Sequence, residues 1–256
     1  MQLNKTITKT IAALLLSSAT IVFAKGSITL VLDDIGNQYS AGIAAIDAPF
    51  VTTVAIMPGR PYSQELAEYS HSNGIEIIVH APMSNTTDFP LGAFGLDKRD
   101  GREKLEQNLV SAIEGVPYAI GLSNHMGSRL TQDRQAMHWV MAILKPYQFY
   151  FFDSQTVSST IAWQVADAHE IPWARRQVFL DHQKDSDFLN RQWQQAVKKA
   201  RQGEDVRVIC HPYPETVAFL NQLDPLDYVD IAFLPLSGKL HYPIFDRIDR
   251  NIPKGT

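Results

Sequence analysis

The sequence predicts an α/β chain, a closed or nearly closed β/α barrel of about seven to eight parallel strands held in one domain over residues 25–243. Three observations predict it. Short apolar runs rich in β-branched and aromatic residues alternate with longer amphipathic segments, the pattern of parallel strands joined by helical crossovers. No internal repeat, low-complexity tract or Pro/Ser-rich linker divides the chain. Histidines and aspartates fall one after another at the ends of the apolar runs, and in a parallel barrel the carboxyl ends of the strands share one rim. An open doubly wound sheet is the alternative arrangement of the same units.

Taken in order, residues 1–24 differ from the rest: Lys5 and Lys9 precede an apolar run from Ile11 to Ala24, and Val22-Phe23-Ala24 offers small residues where a signal peptidase reads. We read a signal peptide cut after Ala24, which implies a periplasmic or secreted protein with no stable transmembrane segment after cleavage. The alternative is an uncleaved anchor, although the run falls short of the ~20 apolar residues that span a bilayer. Strands are expected over 28–33, 51–57, 75–80, 119–124, 147–152, 174–180, 206–210 and 229–234. Helices are expected near 38–47, 62–73, 101–114, 132–144, 159–170, 185–202 and 215–222. The connection from Ala81 to Asp100 is long and carries Phe89, Phe94 and Leu96, suited either to covering a cleft or to packing as a surface loop. Residues 244–256 form a tail of mixed charge with a proline.

Composition narrows the partners. Without residues 1–24 the chain keeps 21 basic and 27 acidic side chains, a net charge of −6, so nucleic acid is excluded as a natural partner. The single cysteine, Cys210, has no internal partner for a disulfide and lies in an apolar run, which marks it as a small buried residue.

The chemistry concentrates at the ends of the runs. The first strand ends in Asp33-Asp34, closely followed by Gly36, and both acids serve one site only where the backbone turns, because neighbours on a regular strand point to opposite faces. His80, His125, Asp153, Asp181 and His211 end later runs. Each has a bland reading: Asp153-Ser154 and Asp181-His182 suit helix caps, and His211 before Pro212 suits a structural turn. Helix caps do not call for histidine, however, and a pair of aspartates exceeds the need of one cap. Asp34, His80 and His125 supply one carboxylate and two imidazoles, a ligand set for a divalent metal such as zinc with a position left for water. Asp33 is placed to act as general base and His211 to protonate a leaving group, which points to hydrolysis of an ester or amide. His71, His138, His169 and His241 fall on helices or the tail and fit no such role, and His182 is ambiguous. Phe94, Tyr150 and Tyr213 are candidate platforms for sugar rings, with core packing the competing reading for Tyr150.

Seven ordered segments carry a resemblance: Leu-Asp-Asp at 32–34, His80-Ala-Pro-Met83, Asn124-His-Met-Gly-Ser-Arg129, Phe152-Asp-Ser154, Phe179-Leu-Asp181, His211-Pro-Tyr-Pro-Glu-Thr216 and Leu234-Pro-Leu-Ser237. Over about residues 28 to 240 they resemble the divergent polysaccharide deacetylase family, a remote branch of the NodB-type carbohydrate esterases. The resemblance implies a distorted, NodB-like (β/α) barrel and metal-dependent removal of acetyl groups from a polysaccharide or peptidoglycan-like glycan. It implies Asp33 as base, Asp34 as metal ligand and His211 as acid, with Arg129 orienting Asp33 or binding an oxyanion. Asp153, Ser154 and Asp181 are then substrate or support residues. The chain departs from the larger superfamily at Ser84, where a second metal-binding histidine four residues after His80 is usual, and His125 is the candidate replacement. Two other readings stand beside this one. One is a non-catalytic barrel that binds an envelope glycan or a partner; the other is a glycosidase pairing Asp33 with Asp153 or Asp181.

Overall fold

The computed structural model describes residues 24–243. The signal peptide read over 1–24, apart from Ala24, and the tail read over 244–256 lie outside the described residues. Among the described residues, no helix is long and apolar enough to cross a membrane.

The elements follow the predicted alternation: β1 (Ser27–Ile35), α1 (Tyr39–Ile46), β2 (Val51–Ile56), α2 (Ser63–Ser72), β3 (Glu76–Met83), α3 (Arg102–Glu114), β4 (Gly121–Met126), α4 (Arg134–Tyr147), β5 (Tyr150–Asp153), α5 (Ala162–Ala168), β6 (Trp173–Arg175), β7 (Val178–Phe179), α6 (Ser186–Arg201), β8 (Asp205–Cys210), α7 (Pro214–Leu220) and β9 (Ala232–Phe233). All strand pairs are parallel. The sheet runs β6-β5-β4-β3-β2-β1-β8-β7, with β9 also paired to β1. Its two edge strands, β6 and β7, are separated in the chain only by Arg176 and Gln177, and a gap that short can be bridged only if the sheet curls until its edges nearly meet. This is the distorted barrel the sequence predicts. The single strand expected over 174–180 divides in two: the Arg176 amide donates to the Asp153 carbonyl on one side and the Gln177 amide to the Arg207 carbonyl on the other, so one run of chain serves both edges.

Two apolar layers follow from strand alternation. Leu30, Leu32, Val54, Ile56, Val79 and Leu122 face the helices, while Val31, Ala55, Ile78, Phe152, Ala174 and Ile209 fill the barrel. Leu236 closes the inner layer. Cys210 is buried and unpaired, as expected, with burial pushing its thiol well above the ordinary range.

Three strands run further than their apolar runs suggest. β3 continues to Met83, β4 to Met126 and β1 to Ile35, so His80, His125 and the two aspartates sit inside strands rather than past their ends. Polar residues can occupy these last positions because they face the rim instead of the inner apolar layer. The loop after β3 is tied down by Asn85, whose Oδ1 accepts from the Thr87 and Phe89 amides, and by mutual amide–carbonyl bonds linking Ser84 and Pro82 to Leu96.

Candidate active site

The site begins with a bulge. Leu32 pairs with Val54 and Ile35 with Ile56, so β1 spends one extra residue against β2, and the backbone of Asp34 turns into the left-handed region with φ 64°. Aspartate tolerates that region better than most residues, and the turn brings two sequence neighbours to one side of the strand. Gly36 follows with φ 133°, where a Cβ would stand 3.0 Å from the Arg60 Cβ and 3.1 Å from Ser63 Oγ. The turn expected at Gly36 therefore starts two residues earlier.

Opposite the bulge, β3 and β4 deliver the imidazoles. His80 pairs in register with Ser123, whose hydroxyl lies 2.7 Å from His80 Nδ1 and so leaves Nε2 free to face the aspartates. His125 sits two residues further along β4 on the same face. Asp34 Oδ1 lies 2.7 Å from His125 Nδ1 and 3.2 Å from His80 Nε2, and one donor atom from each of the three residues falls within 4.8 Å of the others. Yet Asp34 Oδ1 is buried without a hydrogen-bond partner of regular geometry, although both nitrogens lie close to it. Buried polar atoms are nearly always bonded, so converging donors around an unsatisfied oxygen fit a cation better than a hydrogen-bond network. Although burial opposes it, the contacts from His125 and His80 hold the Asp34 carboxyl well below the usual carboxylate range.

Asp33 flanks this trio. It is 1% exposed, its Oδ2 lies 3.8 Å from His80 Nε2, and its Oδ1 has no partner. Burial, against the charges of His80 and His211, raises its carboxyl above the ordinary value. On the other flank, His211 follows β8 with its Nε2 3.9 Å from Asp34 Oδ2. Its Nδ1 donates to Asp181 Oδ1 at 2.9 Å, and its own amide donates to Asp181 Oδ2 at 2.6 Å. Thr216 Oγ1 adds a third donor to Asp181 at 2.9 Å. Burial disfavours a charged imidazole here, but the Asp181 hydrogen bond and the charges of Asp181, Asp33 and Asp34 outweigh it, and the His211 pKa is pushed up to about 9. Tyr213 stacks on the same ring at 5.3 Å. From Asp34 a cleft of about 380 Å³ opens between Gly36-Asn37-Gln38 and Pro212-Tyr213-Pro214.

The structure thus brings Asp33, Asp34, His80, His125 and His211 together and gives Arg129, Asp153, Ser154 and Asp181 their own partners. Arg129 does not face Asp33: its guanidinium grips Asp88 at 2.6 and 3.0 Å on the loop after β3. Asp153 is buried and accepts from the Gln155 amide and Thr160 Oγ1 and from the Trp163 amide in the first turn of α5, and Ser154 lends its amide to Asn124 Oδ1. Asp181 caps no helix; that task for α6 falls to Asp185, which accepts from the Phe188 amide. Asp153 and Asp181, the partners that a glycosidase reading pairs with Asp33, are each engaged in hydrogen bonds of their own. Tyr150 opens β5 at the amino-terminal end, far along the strand from the rim, and bonds Glu76 instead of offering a sugar platform. Phe94 packs near Gly59.

Sequence reasoning missed Ser123, Thr216 and Arg176. Ser123 was legible as the residue two before His125 on the same strand face. Arg176 donates to the Ser154 and Gln155 carbonyls, each at 2.6 Å, and so fixes the tip of β5; its place at the barrel seam has no sequence signature.

A family model described as divergent polysaccharide deacetylase matches residues 30–238. The Escherichia coli (strain K12) protein YibQ is 32% identical over 235 residues, covering 92% of this chain and 73% of YibQ. The crystal structure of Agrobacterium tumefaciens C58 protein ATU2773 is similar with a TM-score of 0.77 at 18% identity, covering 83% of this chain and 88% of that one. The catalytic domain of a peptidoglycan N-acetylglucosamine deacetylase from Eubacterium rectale is similar in fold with a TM-score of 0.50 at 14% identity, covering 84% and 91%.

Proposed function

The chain belongs to the divergent polysaccharide deacetylase family, and from that premise we propose that it is a metal-dependent hydrolase removing acetyl groups from an envelope or extracellular polysaccharide. The observation that carries the reading is Asp34 Oδ1, buried without a hydrogen bond while two imidazole nitrogens converge on it at 2.7 and 3.2 Å. Asp34, His80 and His125 are the residues that would hold a divalent cation, with zinc the natural candidate for two imidazoles and a carboxylate. Such a cation, when bound, supplies Lewis-acid chemistry with a coordination position left open.

The other residues divide the proton work. Asp33, with one oxygen unpartnered, takes the proton from a water that attacks the acetyl carbonyl carbon. As the bond from that carbon to the sugar nitrogen or oxygen breaks, the leaving atom takes the proton of His211 Nε2. Asp181 is a positioning residue: it accepts the Nδ1 proton, which fixes the ring and keeps Nε2 protonated at neutral pH. The cleft beside Asp34 admits the sugar carrying the acetyl group. The signal peptide read from the sequence of residues 1–24 supports a periplasmic or secreted site of action.

The test is elemental analysis of the purified protein followed by a screen for acetate release from acetylated oligosaccharides and peptidoglycan fragments. We expect a stoichiometric divalent cation that is lost in His80→Ala and in His125→Ala, and acetate as product. A cation-free protein that retains glycan without releasing acetate would instead make the chain a binding barrel.

A further inference from the structure

The barrel wall is interrupted where β6 and β7, joined by Arg176 and Gln177, pair with different neighbours. At this seam lies a cavity of about 450 Å³ whose lining includes Trp173, Arg175, Arg176, Gln177, Lys199 and Arg207. Among the described residues, no carboxylate lies within ion-pair distance of Arg175, Arg176 or Arg207. Arg176 is held by the Ser154 and Gln155 carbonyls. Arg207 donates to the Asp205 and Lys239 carbonyls, and its Nε is buried with no acceptor. Arg175 lies over the Trp163 ring at 4.4 Å. The nearby acids are engaged elsewhere: Glu204 by Lys199 at 3.1 Å, Asp205 by Lys239 at 3.1 Å and by Ser27 at 2.6 Å, and Asp153, whose charge acts on Arg175 and Arg176 from a distance, by the Gln155 amide and Thr160 Oγ1.

Carbonyl dipoles aim a guanidinium but do not cancel its charge, and gathering half-buried cations without counter-ions is unfavourable. Burial accordingly lowers the guanidinium pKa of both Arg176 and Arg207. The charges of Asp33 and Asp153 reach Arg176, that of Asp153 reaches Arg175 and that of Asp205 reaches Arg207, but among the described residues none of these carboxylates closes an ion pair with the three arginines. Planar guanidinium forks match the oxygens of an oxyanion, and three of them exceed the two oxygens of a carboxylate. The cavity is also of the size that encloses a small organic ligand, larger than a bare ion needs.

We propose that the seam between β6 and β7 is a binding site for phosphate, carried on a sugar-sized body or free as inorganic phosphate. The inference does not rest on the deacetylase reading, because its test reads binding and not turnover.

The test is calorimetric titration of the full chain at fixed ionic strength with inorganic phosphate, glucose 6-phosphate and glucuronate. Saturable binding of either phosphate is expected; tighter binding of glucose 6-phosphate identifies a phosphorylated sugar as the source, and equal affinities identify free phosphate. Arg175→Gln and Arg207→Gln should each weaken it about tenfold or more, the worth of a charge-assisted contact. Arg207→Lys, which keeps the charge in a folded chain, should fall between wild type and Arg207→Gln. Absence of saturable heat, glucuronate binding as tightly as glucose 6-phosphate, or wild-type affinity in Arg175→Gln overturns the proposal. Arg175 lies against Trp163 at the cavity wall, so its variant decides the matter even if Arg207→Gln does not fold.

Discussion

The two ends of the barrel use carboxylates in opposite ways. At the amino-terminal end Glu76, the first residue of β3, accepts from Tyr150 Oη at 2.7 Å, Thr53 Oγ1 at 3.2 Å and the Ser237 amide at 3.1 Å. The Leu236 amide also bonds Thr53, so the segment after β9 is fastened across the barrel mouth. At the carboxyl end, Asp33 and Asp34 each keep a buried oxygen with no hydrogen bond, and Asp34 holds a strained backbone as well. Donors saturate the first group, and it works as a fastener. The second pair is left open where nearby side chains could have satisfied it, and strain and unmet hydrogen-bonding capacity of that kind are retained at functional sites.

That contrast predicts where substitutions act. Removing the cation by chelation should abolish acetate release and lower the unfolding midpoint, since a ligand at a hundred times its Kd stabilises by about 2.7 kcal/mol; a scanning calorimetry trace unmoved by chelator breaks the comparison at its strongest point. Asp33→Asn should cut kcat/KM by about 10²- to 10⁴-fold, the span of general-base catalysis, without lowering the midpoint, because a buried carboxylate with an open oxygen contributes nothing to holding the fold. Asp181→Asn should cost about tenfold at pH 8, read from a pH–rate profile. His211 in the folded chain keeps its proton up to about 9, against 6.5 for an ordinary imidazole, and a fall of about two units would deprotonate most of it at that pH. The sign follows from the raised value: the His211–Asp181 contribution to stability is fully present below about 6.5 and is lost as pH rises through about 9. Glu76→Ala should show the reverse pattern to Asp33→Asn, losing roughly 1–3 kcal/mol in chemical denaturation while kcat/KM stays within about twofold. Arg129→Ala should have the smallest effect, with kcat unchanged and only the loop around Asp88 loosened in hydrogen exchange; a large loss of kcat would return Arg129 to the active site.

Much of the site was legible because strand periodicity and ligand chemistry agree. Asp34, His80, His125, Asp33 and His211 were identifiable as the acids and imidazoles that end apolar runs, and parallel strands send such ends to one rim. Arg129 misled because it follows Met126 and Gly127, both at positive φ, and the direction of a side chain after such turns is not written in residue type. Tyr150 was ambiguous for a related reason: an apolar run shows which residues are buried but not at which end of the strand pairing begins, and helix α4 extends through Tyr147 to delay β5.

By itself, then, the amino-acid order determined the alternation of strands and helices, the parallel sheet and the residue types available for chemistry, because these depend on local propensity and on spacings of two and 3.6 residues. Only the tertiary structure decided that β1 bulges at Asp34, that one short run serves both edges of the sheet, that Asp181 grips His211, and that three arginines meet at the seam. Those features arise from contacts between segments far apart in the chain, whose distances and angles are set by how the whole sheet curls and twists.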